Sequence, residues 1–414
     1  HSSIERIGED AFSSCENVVK LYFGPAECTF EHEKDPQSSS FKDMGKATAG
    51  LQLTIGREVT RIEPYQFCKT NLSSLTFEKG SVCRDIADEA FSITSLKGDL
   101  ALPAGLQSIG VKAFYRTSVS SVNIPESISR IGRDAFSQCK KLSSVRYNAV
   151  EAELFNPETT NQGGVFCMAG ISVGGYTLSI GSNTRIIADY LFENGILTES
   201  KLEKGGGIRT LSFANNCMLD SIGMAAFTGN ALLSGNLDFP ASVHSIGTGT
   251  FSECKQLQSV NIPSTVRYLG DGVFSGCNGL KKICYDVIDG KGRNVFPVLK
   301  EGEENIGYDL IIGSHVKTIP DNFCTNAAID SISLYKAQHL QSIGDEAFSN
   351  CSKMQGHETL AFSDAIKSIG NSAFNNCKAL TGTLNLPVSL EKLGTNSLSG
   401  IKVNALVYNS PVVT

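Results

Sequence analysis

The sequence predicts a β-rich solenoid: one curved, right-handed array of short strands joined by 3₁₀ or single-turn helical corners, spanning residues 1–414. Three observations predict it. Val119-Ser-Ser-Val-Asn-Ile124 returns as Leu142-Ser-Ser-Val-Arg-Tyr147 after 23 residues. An Ile or Leu followed five positions later by Phe recurs along the chain, as in Ile109/Phe114, Ile131/Phe136, Ile246/Phe251 and Ile369/Phe374, mostly at intervals of 22 to 26 residues. Between the two stands Gly-x-x-Ala, as at Gly132 and Ala135. A unit this short cannot bury its own apolar face, so a fixed period of this length marks turns that stack on one another.

Each part of the unit has a physical reading. Leu142-x-x-Val145-x-Tyr147 alternates apolar and polar residues over the length of a short strand. Pro125, Pro240, Pro263 and Pro387 follow such strands and end them, because proline gives no ladder donor. The next piece, Ser127 to Gly132, is a second short extended segment closed by a glycine. Asp134-Ala135-Phe136 then reads as a 3₁₀ or helical turn that points its ring inward. Burial of each such Phe contributes about 2–3 kcal/mol.

About 13 turns carry the marker, and they group into three blocks of about 125 to 138 residues. Tyr22, Tyr147, Tyr285 and Tyr408 are read as the residues that close each run. Irregular insertions are expected near 24–52, 148–177 and 286–309. The chain opens on His1, which reads as a processed product whose targeting segment is not in view, with further repeats beyond either end.

These residues resemble the BspA-like leucine-rich repeat family. Ile262-Pro-Ser-Thr-Val266, Leu269-Gly270, Val273-Phe274, Cys277, Leu280 and Ile283 follow its unit nearly throughout. The resemblance covers essentially the whole chain and implies a leucine-rich repeat solenoid. It also implies a secreted or cell-surface protein that acts in adhesion or recognition, often in host-associated microbes. The matched residues are core residues, so they speak for the fold and not for a ligand.

The net charge of −6 argues against nucleic acid as the main partner, which wants a basic face. No apolar run approaches the roughly 18 residues of a membrane span. Six of the 13 cysteines, among them Cys139, Cys254, Cys277 and Cys377, fall three residues after the repeat Phe, and Cys68 and Cys324 fall directly after it. A column of thiols at one repeat position reads as buried small apolar side chains. None of the cysteines has Cys-x-x-Cys spacing, and His32, His244, His315, His339 and His357 are scattered over different turns, so no metal site and no cofactor are expected. Gly205-Gly206-Gly207 lacks the context of a phosphate loop. No nucleophile has a base and an orienter beside it in the pattern, so no enzyme is expected. Asn71-Leu-Ser73 and Asn350-Cys-Ser352 are glycosylation sequons, meaningful only in a eukaryotic secretory pathway.

The candidate binding surface is the outward row of the strand sheet: Ser121, Asn123, Ser144, Arg146, Ser259, Asn261, Lys282, Ser331, Ser333, Thr383 and Asn385. These are small, polar and sparsely charged, which suits a protein or a glycan. They are equally what a solvated sheet face carries. The charged stretches 27–40 and 300–305 are a second candidate. The expected function is non-catalytic recognition by an extracellular or cell-surface monomer, namely adhesion to a host or matrix protein. Glycan capture on the strand face, or a spacer that presents another domain, is the alternative.

Overall fold

The structure, a computed structural model, describes residues 5–25, 29–30, 40–155, 164–195, 205–298, 307–356 and 359–408. The chain is a parallel β-solenoid with almost no helix. It divides into two compact units, His1–Leu219 and Asp220–Thr414. Among the described residues most turns contribute one longer strand and one short strand, which go to two different sheets.

In the first unit the longer strands Lys97–Ala101, Ser118–Ile124, Ser144–Tyr147, Tyr176–Ile180 and Ile208–Phe213 form a five-stranded parallel sheet. Lys20–Phe23, Leu51–Ile55 and Leu72–Phe77 form another. The short strands Arg61–Ile62, Asp85–Ile86, Ser108–Ile109, Arg130–Gly132 and Glu153–Phe155 pair in the same order. The second unit repeats the plan. Gly235–Asp238, Leu257–Ile262, Lys282–Tyr285, Tyr308–Ile312, Ile329–Ser333 and Gln355–Gly356 make one sheet, and Thr359–Ala361, Thr383–Leu386 and Ala405–Tyr408 a second. The repeat period holds equivalent residues in register, so Val122 lies beside Val145 and Ile131 beside Ile109.

The third side is a ladder of turns. The Phe67, Phe91 and Phe114 amides donate to the carbonyls of Ala90, Ala113 and Ala135, one turn on, at 2.8–2.9 Å. Here the backbone departs from the expected 3₁₀ or helical corner. Two residues per turn sit in the left-handed region, for instance Asp134 and Gln138 (both φ 57°) or Glu89 (φ 52°) and Ile93 (φ 56°). Such residues reverse the chain and cannot propagate a right-handed helix. Among the described residues the 3₁₀ conformation is confined to Ile171–Val173.

Phenylalanine rings stack up the core. Phe91, Phe114 and Phe136 lie with centroids 5.0–5.2 Å apart and planes within 13°. The column also holds Phe41, Phe166 and Phe296, which the repeat marker does not find. Phe41 stacks between Phe12 and Phe67, Phe166 between Phe136 and Phe192, and Phe296 on Phe274. The stretches 24–52, 148–177 and 286–309, read as irregular insertions, therefore each add a phenylalanine to the column, and the last two also bury Tyr176 and Tyr308. In the first two, the residue that pairs with the marker Ile is Phe30 or Leu154, 11 or 12 residues ahead of the ring rather than five.

The closing residues also shift. Phe23, not Tyr22, occupies the position of Tyr147 and Tyr285: it pairs with Ile55 as they pair with Ile180 and Ile312. Tyr22 is 62% exposed and donates its hydroxyl to Glu78 Oε2 at 3.0 Å. At the marker one residue short, Cys324 holds the backbone place of Phe348, since its amide donates to Ala347 O as that of Phe348 donates to Ala373 O. Phe323 enters from the neighbouring position and meets Phe296 and Phe348 edge-on, at 88°. Cys68 has no such role, because Phe67 keeps the ring position.

The thiol column is buried except at its first member, Cys15, which is exposed beside the half-exposed Phe12 turn. Cys139, Cys277 and Cys377 donate to the carbonyls of Phe114, Phe251 and Phe348 at 3.1–3.2 Å. All twelve described cysteines are free thiols, ten of them buried. Burial pushes the Cys139 and Cys377 thiols up to about 12, so at pH 8 only about 10⁻⁴ of each is the reactive thiolate. Among the described cysteines, iodoacetamide at pH 8 is expected to modify exposed Cys15 first, then half-buried Cys284, and the buried thiols only after unfolding. Peptide mapping that finds Cys139 or Cys377 labelled in the native protein would contradict this packing.

Candidate functional site

The outward positions of the longer strands line up as the register requires. In the first unit Ser121 lies beside Ser144 and Asn123 beside Arg146, with Thr177 and Ser179 next along the row. In the second, Ser259 lies beside Lys282, then Asp309, then Ser331; Asn261 lies beside Cys284, then Ile311, then Ser333. Thr383 and Asn385 are on a different sheet, between Thr359 and Ala361 on one side and Ala405 and Val407 on the other. The eleven candidates thus fall into three groups and not one continuous row. Asn123, Ser144, Arg146, Asn261 and Lys282 are exposed, and the other six are half-buried.

Several of these side chains are already tied to the turn before. Ser121 Oγ donates to Asp99 Oδ1 (2.6 Å), Ser259 Oγ to Asn236 Oδ1 (2.6 Å) and Ser331 Oγ to Asp309 Oδ1 (2.5 Å). The hydroxyls of Ser121 and Ser120 hold the Asp99 carboxyl below the usual carboxylate range. Asn148 Nδ2 donates to Asn123 Oδ1 (2.6 Å), and Arg146 Nε to Asn148 Oδ1 (3.3 Å). Sequence reasoning missed Asp99, Asn236, Asp309 and Asn148. The signal for the first three was available: each stands 22 or 23 residues before its serine.

The remaining candidates do not converge. His244 Nδ1 pairs with Asp220 Oδ1 and His315 Nδ1 with Asp286 Oδ2, each at 2.7 Å, while His339 Nδ1 meets the Ser314 carbonyl. His32 and His357 lie outside the described residues, as do most of 27–40 and all of 300–305. Among the described residues, no three His, Cys, Asp or Glu side chains gather as a metal site would need, and no helix is long and apolar enough to cross a membrane. Gly205–Gly207 lead into the strand Ile208–Phe213 and not into the helix that a phosphate loop opens. Of the two sequons, Asn71 donates its amide to Gly45 O at 2.9 Å, whereas Asn350 is exposed.

Residues 37–156, 176–296 and 317–414 match the BspA type leucine-rich repeat region, in six copies. The chain belongs to the BspA-type leucine-rich repeat family. A leucine-rich repeat protein from Bacteroides ovatus shares the fold at 21% identity and a TM-score of 0.51, over 92% of this chain and 84% of that one. The pneumococcal vaccine antigen PcpA is 14% identical with a TM-score of 0.41, over 99% of this chain and 92% of that one. A leucine-rich cell surface protein from Faecalibacterium prausnitzii is 17% identical with a TM-score of 0.22, over 94% and 95%. No curated protein matches. In this BspA-type chain the repeat signature residues are the buried Ile, Ala, Phe and Cys positions. Membership of the family therefore rests on the core, and recognition must be argued from what lies outside it.

Proposed function

We propose that this BspA-type chain is a non-catalytic recognition protein, secreted or held at a cell surface, that adheres as a monomer to a host or matrix protein through the outward face of its longer strands. The observation that carries this reading is that Ser121, Asn123, Ser259 and Ser331 are held across neighbouring turns by Asp99, Asn148, Asn236 and Asp309, with Arg146 bonded to Asn148 on its own turn. Side chains fixed before contact lose less conformational entropy on binding, which favours a receptor surface over a merely solvated one. Sparse charge and many hydrogen-bonding groups suit a polar protein epitope, with neutral glycan as the second reading. Family membership supports the surface or secreted location.

The test compares the protein with a variant carrying Asn123→Ala, Arg146→Ala, Asn261→Ala and Asn385→Ala, screened on immobilised matrix proteins and a glycan array. Saturable protein binding that falls at least about tenfold in the variant, a loss of roughly 1.4 kcal/mol, is the expected result. Binding confined to glycans would replace the protein partner with the second reading. Absence of any binding would leave a spacer role as the better account.

A further inference from the structure

The short-strand side of the second unit carries a groove of roughly 470 Å³. We propose that it binds an acidic oligosaccharide, one bearing carboxylate or sulfate groups. The floor is a row of hydroxyls, Thr318, Ser342 and Ser368, on adjacent rungs in register, with Lys392 on the next. Gly344 and Gly370 also line the trough and add no side chain to it. Lys291 and Arg293 stand at one end and Lys392 at the other. The pairings Asp289–Thr318–Ser342–Ser368–Lys392 join five rungs through four spacings, or about 19 Å at the usual strand spacing.

Charge decides the class of ligand. Among the described residues none of the three cations forms an ion pair. Asp289, on the end rung, lies outside the lining of the groove. The two carboxylates that line it are engaged by backbone: Asp321 Oδ1 accepts from the Asp345 amide (2.7 Å), and Asp345 Oδ1 from the Asn371 amide (2.6 Å). Asn371 Nδ2 adds a bond to Asp345 Oδ2 at 3.1 Å. The groove thus has carboxylates already supplied with donors and cations that are not supplied with acceptors. Arg and Lys hold carboxylate and sulfate groups by charge-assisted hydrogen bonds. Serine and threonine both donate and accept, as sugar hydroxyls require. No aromatic ring lines the trough, which removes the stacking platform that single-stranded nucleic acid uses. The protein's net charge of −6 does not cancel this field, because exposed charges more than about 8 Å away are largely screened at physiological salt.

The equivalent side of the first unit shows what a self-satisfied groove looks like. It is smaller, roughly 260 Å³. Arg61 is paired with Glu63 at 3.3 Å, Ser108 Oγ donates to Asp85 at 2.6 Å, and the Arg130 guanidinium lies 4.3 Å from the centre of the Phe155 ring. Its cations are occupied, so no ligand is assigned there.

The experiment is titration of the intact chain at 0.15 M salt with three probes: heparin-derived oligosaccharide (sulfate), oligogalacturonate (carboxylate) and maltohexaose (neutral). Saturable binding of one or both acidic probes and none of the neutral one is expected. The triple variant Lys291→Gln/Arg293→Gln/Lys392→Gln should weaken it at least about tenfold. Ser342→Trp, which blocks the floor and keeps every charge, should abolish it, with circular dichroism confirming the fold. The strand-face variant of the preceding section should bind as the unmodified chain does, which separates this site from that one. No saturable binding of either acidic probe would overturn the proposal. So would binding that survives the triple variant, or a folded Ser342→Trp protein that binds normally.

Discussion

Phe136→Ala is expected to destabilise the first unit by about 3–5 kcal/mol, the range for truncating a buried phenylalanine. The ring is fully buried, with Phe114 stacked at 5.0 Å and Phe166 at 5.2 Å. Its removal breaks two ring contacts at once. The backbone cannot collapse into the gap, because the Phe136 amide is fixed to Val165 O and the turn before is fixed to Ala135 O. Solenoid turns hold only their neighbours, so the damage should be local. Amide hydrogen exchange should accelerate around Phe114, Phe136 and Phe166 and remain slow around Phe67. The control is Phe12→Ala: that ring is 37% exposed, and its loss should cost about 1 kcal/mol. Equal losses in the two variants would mean that the column is not what holds the turns together.

The ring column shows how much of the fold the sequence carries and where it stops. Phe136 and its periodic neighbours are legible because the same pocket is rebuilt every turn, and the same side chain fills it. Phe41 and Phe166 fill that pocket too, but extra residues separate each from its strand, so the spacing rule passes over them. Tyr22 and Phe23 are adjacent aromatics, and only strand register tells which of them faces inward. The corner conformation has no residue signature. Its left-handed positions hold Asp, Glu, Lys, Gln, Asn and even Ile93 as well as glycine (Gly249, Gly272, Gly276), held there by amides and carbonyls of the adjoining turns. Proposed sites divide the same way. The strand-face residues follow from alternation alone. Most of their fixing partners sit on a neighbouring turn and require register. The groove needs more still, because Lys291 and Arg293 read locally as an ordinary turn, and only stacking sets them four rungs from Lys392.

Gly132→Ala is expected to destabilise the same unit by about 3 kcal/mol, at the upper end of overpacking costs. The glycine of the repeat marker suggests a conformational corner, yet Gly132 does not have the positive φ that would demand it. Its reason is stacking. A Cβ at this position would collide with the Val111 amide nitrogen and the Gly110 carbonyl carbon of the preceding turn. Gly110 is likewise pressed against Ala87 and Asp88, so the constraint passes from turn to turn. Neither contact is with the end of a flexible side chain; both are backbone. Accommodation therefore requires the short strands Ser108–Ile109 and Arg130–Gly132 to part, straining the pairing of Ile109 with Ile131. Gly105→Ala is the matched control, because a Cβ there meets nothing within 4 Å; it should be neutral or stabilise by up to about 1 kcal/mol. Denaturant unfolding of the two variants decides the matter. If Gly132→Ala proves as benign as Gly105→Ala, backbone contact between turns is not the reason glycine recurs, and the close stacking of the short strands must be abandoned as the source of the marker.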